Sequence, residues 1–259
     1  MCIYFALAQS LNLCSAIIIS AMPAKSRIAT TKYPAISNIM SIAALIVAAG
    51  RGTRAGGETP KQYHALGDRT VIYHTITNLL ANTDIREIWV AIHRDDLELF
   101  TEATRNIDDA RFMGHIIGGT TRSDTVRIGL ESITCEYVLI HDGARPLLPI
   151  DALSRVIDQM LISGAAFCAL PITDAIWAVS DGRAQSAQPR DTFWRAQTPQ
   201  AFNTAEILAA HRATDKPADD DVAIARRAGI DVTVVLGSER NIKITHAGDF
   251  ALAEKLLRE

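Results

Sequence analysis

From Ser41 onward, short apolar runs alternate with stretches whose apolar residues recur at helical spacing. Residues 43–49, 88–92, 138–141, 166–170 and 232–236 form the runs. Each is continuous rather than alternating, the pattern of strands covered on both faces. Between them, Val71, Ile72, Ile76, Leu79 and Leu80 share one helical face. Val126, Leu130 and Ile133 share another, as do Leu153, Val156, Ile157 and Met160, and near the end Phe250, Ala253, Leu256 and Leu257. Strands alternating with helices predict an α/β fold with a doubly wound, mostly parallel, Rossmann-like sheet. Ligands of such sheets bind beyond the carboxyl ends of the strands. The loops after Ala49 and His141 are therefore where chemistry is expected. Residues 171–194 break the rhythm: they hold Pro171, Asp181-Gly182 and Pro189. Asp-Gly between short runs predicts a hairpin, read here as a β-arm that projects from the sheet and packs on a partner subunit.

Residues 1–40 stand apart from this alternation. Residues 3–21 are apolar-rich, yet no basic residue precedes them, so the secretory pattern is incomplete. Ser10, Asn12 and Ser15 interrupt the run, which makes a poor membrane span. The expectation is a leader from an over-extended reading frame, with the true start at Met40 or Met22; the alternative is a targeting or anchoring segment. Residues 41–259 are then one domain, with the arm at about 171–194.

Composition narrows the classes. The chain has 259 residues, 26 Lys and Arg against 29 Asp and Glu, and a formal net charge of −3. No basic excess marks a nucleic-acid binder. An anionic ligand must be met by local charge. Cys2, Cys14, Cys135 and Cys168 form no CxxC pair or metal-spaced cluster and read as reduced thiols. The expectation is a cytoplasmic protein with no membrane and no nucleic-acid partner.

Local positive charge is found in the loop after the first run, where Gly50, Gly52, Gly56 and Gly57 alternate with Arg51, Arg54 and Lys61. Glycines let a backbone approach a ligand closely, and successive N–H groups cradle phosphate oxygens. The loop fits neither familiar phosphate motif. A dinucleotide fingerprint should run straight into a helix, but Gly56, Gly57 and Pro60 intervene. A Walker A loop should end Gly-Lys-Ser/Thr, and Gly57-Glu58-Thr59 does not.

Ala48-Ala49-Gly50-x-Gly52-x-Arg54 with Pro60-Lys61-Gln62 resembles the signature of nucleotidyltransferases, and specifically of the 2-C-methyl-D-erythritol 4-phosphate cytidylyltransferase family. Four further blocks match in order: Gly118-Gly119 with residues 122–126, residues 141–146, Thr198-Pro199-Gln200, and residues 239–245. The resemblance implies transfer of CMP from CTP to 2-C-methyl-D-erythritol 4-phosphate with release of pyrophosphate. The nearest alternative is a cytidylyltransferase for another sugar or polyol phosphate, such as ribitol 5-phosphate.

The resemblance also implies roles. Lys61 and Lys243 are the transition-state cations at the α-phosphate, joined by Arg54 on the triphosphate. Asp142, at a strand end, holds Mg²⁺ or another divalent cation. Arg145 either meets phosphate or pairs with Asp142. Ala48, Ala49, Gly50, Gly52 and Gly119 surround the nucleotide through backbone groups, with Thr125 as a side-chain partner of the base. His141 is declined as a general base, because a phosphate nucleophile is already ionised. Residues 241–245 read as a strand with Lys243 on its polar face. Asp174, Arg190 and Thr245 take the acceptor, Arg190 being supplied across a homodimer by the arm. The family arm has Thr and Lys where this chain has Ala175 and Trp177. Losing the hydroxyl contact is expected to cost about 0.5–1.5 kcal/mol of acceptor binding.

Overall fold

In the computed structural model, residues 40–51, 59–214, 216 and 218–259 are described. The leader, Gly52 and Arg54 lie outside them. In chain order the elements are β1 (Ile42–Ala48), a 3-10 turn (Lys61–Tyr63), β2 (Ala65–Leu66), β3 (Arg69–Thr70), α1 (Val71–Leu80), β4 (Ile85–Ile92), α2 (Leu97–Thr104), β5 (Phe112–Ile117) and α3 (Arg122–Glu131). Then come β6 (Tyr137–Asp142), α4 (Ile150–Ser163), β7 (Ala165–Pro171), β8 (Ile176–Ser180), β9 (Arg183–Gln188) and β10 (Trp194–Asn203). The chain closes with α5 (Thr204–Arg212), α6 (Asp221–Arg227), β11 (Thr233–Leu236) and α7 (Ala247–Arg258).

Seven strands form one sheet in the order β11-β7-β10-β6-β1-β4-β5. All run in one direction except β10, which is antiparallel to both β6 and β7. The five predicted strands are present, each within three residues of its expected bounds. Their continuous apolar character has the expected cause. Ala44 and Ile46 of β1 pack with α1 and α4 on one face, while Ala43 and Leu45 pack with α3 and α5 on the other. Burying each Ile or Leu stabilises the fold by about 1.5–3 kcal/mol. A third, smaller cluster joins Leu66, Val71, Leu147, Ile244 and Ala253, and so ties the last helix to the first hairpin.

Two local readings need correction. Helix α3 stops at Glu131, and Ile133 is buried in the turn beyond it rather than on the helix. Residues 241–245 form no strand: Asn241 sits in a bend and residues 242–245 have no regular structure. Ile244 N–H donates to the Ala144 carbonyl at 2.9 Å, while Asn241 and Ile242 bond back to Ser238 and Arg240. Strict alternation also fails, because Asn241 and Ile244 are the buried pair.

The hairpin is present. Strands β8 and β9 pair with each other in a separate two-stranded sheet. Asp181 and Gly182 both have positive φ, 50° and 73°, as a two-residue hairpin turn of opposite hand requires. The hairpin leaves Trp177 and Val179 exposed, at 54% and 64%. Among the described residues no helix is long and apolar enough to cross a membrane. Cys135 and Cys168 are free and buried, and no metal-spaced cluster of His, Cys, Asp or Glu occurs among the described residues.

Candidate active site

The carboxyl ends of β1 and β6 lie side by side in the sheet, with Val47 opposite Asp142. Above them opens a cleft of about 300 Å³. Its walls come from five separate segments: the end of β1 with the start of the loop after it, the turn that carries Lys61, the β5–α3 connection with the start of α3, the end of β6 with the turn after it, and Lys243. Eight of the sequence-predicted residues line it: Ala48, Ala49, Gly50, Lys61, Gly119, Thr125, Asp142 and Lys243.

Each is held by identifiable contacts. Gln62, almost fully buried, donates from Nε2 to the carbonyls of Ala48 at 2.7 Å and Gly50 at 3.2 Å. That bond fixes the end of β1 where the glycine-rich loop begins. Lys61 Nζ donates to the Ile244 carbonyl at 2.6 Å, joining segments 183 residues apart. Gly119 N–H donates to Thr125 Oγ1 at 3.1 Å, and the Thr125 hydroxyl donates to the Thr121 carbonyl at 2.9 Å. The only proton of the Thr125 hydroxyl is thus committed to bracing the loop. A side chain at Gly143 would stand 2.9 Å from Ala48 Cβ, so the strand ends approach this closely because position 143 has none.

Asp142 is the electrostatic centre. Its Oδ2 accepts from Lys243 Nζ at 2.9 Å and from Arg145 Nε at 3.4 Å, while Arg122 Nη2 stands 3.9 Å from Oδ1. Burial pushes the Asp142 carboxyl up, but Lys243, Arg122 and Arg145 together hold it well below the usual carboxylate range. Asp142 N–H donates to the Thr198 hydroxyl oxygen at 3.0 Å, and that hydroxyl bonds to Nδ1 of His141 at 3.0 Å. His141 Nε2 is 3.2 Å from the Arg145 carbonyl. A carbonyl only accepts, so Nε2 carries the proton and Nδ1 accepts from Thr198. Burial lowers the His141 pKa to about 4, which keeps it neutral. His141 is a brace beneath Asp142.

Several expected residues fall elsewhere. Arg145 is buried and does not line the cleft. It pairs with Asp142 and donates to the Asn241 carbonyl at 2.7 Å, so the pairing alternative is the one observed. Arg51 turns away to pair with Asp96, beside β4. Thr245 is off the cleft, where its hydroxyl donates to the Lys243 carbonyl at 3.1 Å. Asp174 and Arg190 are exposed near the hairpin, and Arg190 donates to the Thr173 carbonyl at 2.7 Å. Neither lines the cleft of its own chain.

Sequence reasoning missed Arg122, which lines the cleft and reaches both Asp142 and Asp221. It stands in a quoted motif, but its partner Asp221 lies 99 residues away, with only the acidic run 219–221 as a signal.

Comparisons with known proteins agree with this architecture. The IspD family, described as 2-C-methyl-D-erythritol 4-phosphate cytidylyltransferase, matches residues 42–259. A 2-C-methyl-D-erythritol 4-phosphate cytidylyltransferase of Cereibacter sphaeroides is 44% identical over 221 residues, covering 84% of this chain and 97% of the relative. The bifunctional enzyme IspD/IspF of Dinoroseobacter shibae is 43% identical, covering 85% of this chain and 54% of the longer relative. The crystal structure of the Thermus thermophilus cytidylyltransferase superposes with a TM-score of 0.70 at 31% identity, covering 85% of this chain and all of that one. That of the Anaerococcus prevotii 4-diphosphocytidyl-2C-methyl-D-erythritol synthase superposes with a TM-score of 0.74 at 26% identity, covering 85% and 97% of the two chains. With its cleft, its sheet and nearly the whole of residues 42–259 accounted for, the chain belongs to the 2-C-methyl-D-erythritol 4-phosphate cytidylyltransferase family of nucleotidyltransferases.

Proposed function

We propose that residues 41–259 form a cytoplasmic catalytic domain that transfers CMP from CTP to 2-C-methyl-D-erythritol 4-phosphate. An oxygen of the acceptor phosphate attacks the α-phosphorus of CTP, the α–β phosphoanhydride bond breaks, and pyrophosphate leaves. The observation that carries this reading is the convergence of Lys61, Lys243 and Asp142 on one cleft. Phosphoryl-type transfer needs positioning and charge neutralisation more than covalent help. Two lysines from distant segments meet that need. The acceptor phosphate is ionised already, which suits a cleft with no histidine among its described lining residues and a neutral His141 buried beneath it.

The donor set fits a divalent cation such as Mg²⁺. Asp142 is the carboxylate among the described cleft-lining residues, and Arg122 stands 3.9 Å from its Oδ1. One carboxylate plus phosphate oxygens is how Mg²⁺ is commonly held at nucleotides. A cation held there neutralises phosphate charge.

For the acceptor half, the reading assigns Asp174 and Arg190 to the cleft of a second copy. The exposed Trp177 and Val179 of the hairpin, with Phe193 and Trp194 beside it, supply an apolar surface for that contact. The test is pyrophosphate release with CTP, Mg²⁺ and either methylerythritol phosphate or ribitol 5-phosphate. Lys61→Ala is expected to lower the rate by about 10²-fold or more, the range for one transition-state contact. An unchanged rate removes Lys61 from the mechanism, and a preference for ribitol phosphate overturns the acceptor.

A further inference from the structure

Arg122 is a cleft cation whose far side is built into the protein. It opens α3 with its side chain only 26% exposed. Its Nη2 donates to Asp221 Oδ2 at 2.8 Å. Asp221 is fully buried. Its Oδ1 is 3.1 Å from His211 Nε2 on α5. Its own N–H and that of Val222 donate to Gln200 Oε1, on β10, at 3.0 and 3.1 Å. Asp221 is thus fixed through its carboxylate by Arg122 and a neighbouring helix, and through its backbone by a strand. Burial alone raises its pKa, but Arg122 and then His211 outweigh that and keep it ionised.

A buried ion pair is seldom a good route to stability, because apolar residues of the same volume do as well. Its effect on geometry is more specific. An arginine side chain has several rotatable bonds, and immobilising it on binding weakens affinity. Arg122 also has a second carboxylate within reach, Asp142 at 3.9 Å. If Asp221 did not hold it, the guanidinium would close on Asp142 Oδ1 and lie across the cleft.

We propose that Asp221 is a positioning residue for nucleotide binding: it draws Arg122 back from Asp142 and presents it as a preset cation to the polyphosphate of the nucleotide. Arg122 makes the contact, and Asp221 acts through it, held by His211 and Gln200. This rests on the reading that the cleft takes CTP.

The experiment is steady-state pyrophosphate release together with calorimetric CTP binding, for wild type, Asp221→Asn, Arg122→Ala and the double variant. Asp221→Asn is expected to raise the KM and Kd for CTP about tenfold, with kcat and the acceptor KM within about twofold of wild type. In the Arg122→Ala background the same change is expected to add nothing. Should Asp221→Asn fail to fold, His211→Asn is expected to give a smaller rise in the CTP KM, again lost without Arg122. A folded Asp221→Asn, or failing that His211→Asn, with wild-type CTP affinity overturns the proposal. So does an equal effect in the presence and absence of Arg122, which marks a merely structural role. A wild-type protein that binds no CTP strikes instead at the reading of the cleft, which is a separate result.

Discussion

At the scale of single residues, the site is a balance of charges around Asp142, and its weakest point in acid lies one residue earlier. His141 is buried and neutral, with its pKa lowered from 6.5 to about 4. The unfolded chain therefore binds a proton between those values that the folded chain does not, so stability falls as pH falls through this window. The loss is on the order of 3 kcal/mol when complete. Urea unfolding at pH about 7 and about 5 should show it, and His141→Asn should flatten the slope across that interval. Asp142 acts lower down: its depressed pKa contributes stability above the ordinary carboxylate range, lost as pH falls through the lowered value. Lys61 and Asp142 were legible from motifs that follow or end an apolar run, whereas Lys243 was singled out by the family resemblance alone, its segment having read as a strand. Arg145 was ambiguous for a physical reason. A cation three residues from a carboxylate has two partners open to it, and only burial decides between them. The contacts of the Thr125 hydroxyl were not legible, because its partners, Gly119 and Thr121, are backbone groups.

At the scale of elements, α3 is the part that joins core to cleft. Its Gly129 lies against β1, where an added Cβ would stand 2.6 Å from the side chain of Leu45, itself fully buried. Gly129→Ala must push the helix outward. The expected cost is about 1–3 kcal/mol, seen as a lower Tm. Because the same helix carries Arg122 and Thr125 to the cleft, the KM for CTP should rise with it. An unchanged Tm would contradict the packing described. Five of the six parallel strands were readable from their continuous apolar runs; β5, whose residues alternate between half-buried and exposed, was not. Strand β10 was not: Gln197, Thr198, Pro199 and Gln200 give it a polar, proline-bearing centre, which argues against a central strand. Its pairing with β7 is irregular between Ala196 and Gln200. There Thr198 turns to His141 and Asp142, and Gln200 to the start of α6. The Thr198-Pro199-Gln200 motif is thus a support for two sides of the cleft. Helices α5 and α6 are short and mixed in polarity, with too few apolar repeats to stand out.

At the scale of the whole molecule, the cleft of one chain holds the lysines but lacks Asp174 and Arg190. If a second copy supplies them, two defective variants should repair each other. Lys61→Ala and Arg190→Ala chains, mixed and allowed to exchange, form mixed dimers in which one of the two composite sites is intact. About a quarter of wild-type turnover should return, since half the dimers are mixed. No recovery, with dimers confirmed by sedimentation, would place Arg190 in its own chain's site or outside catalysis.

Lys61 is fastened to the carbonyl of Ile244, and Lys243 to Asp142, so residues near the end of the chain complete a cleft begun by β1. A ribosome extending this polypeptide has delivered every strand by Leu236 before either fastening exists. Competence to grip a nucleotide therefore arrives only after all the described strands have been made, in one step. Nucleotide capture by stalled nascent chains of graded length would register the moment Lys243 emerges.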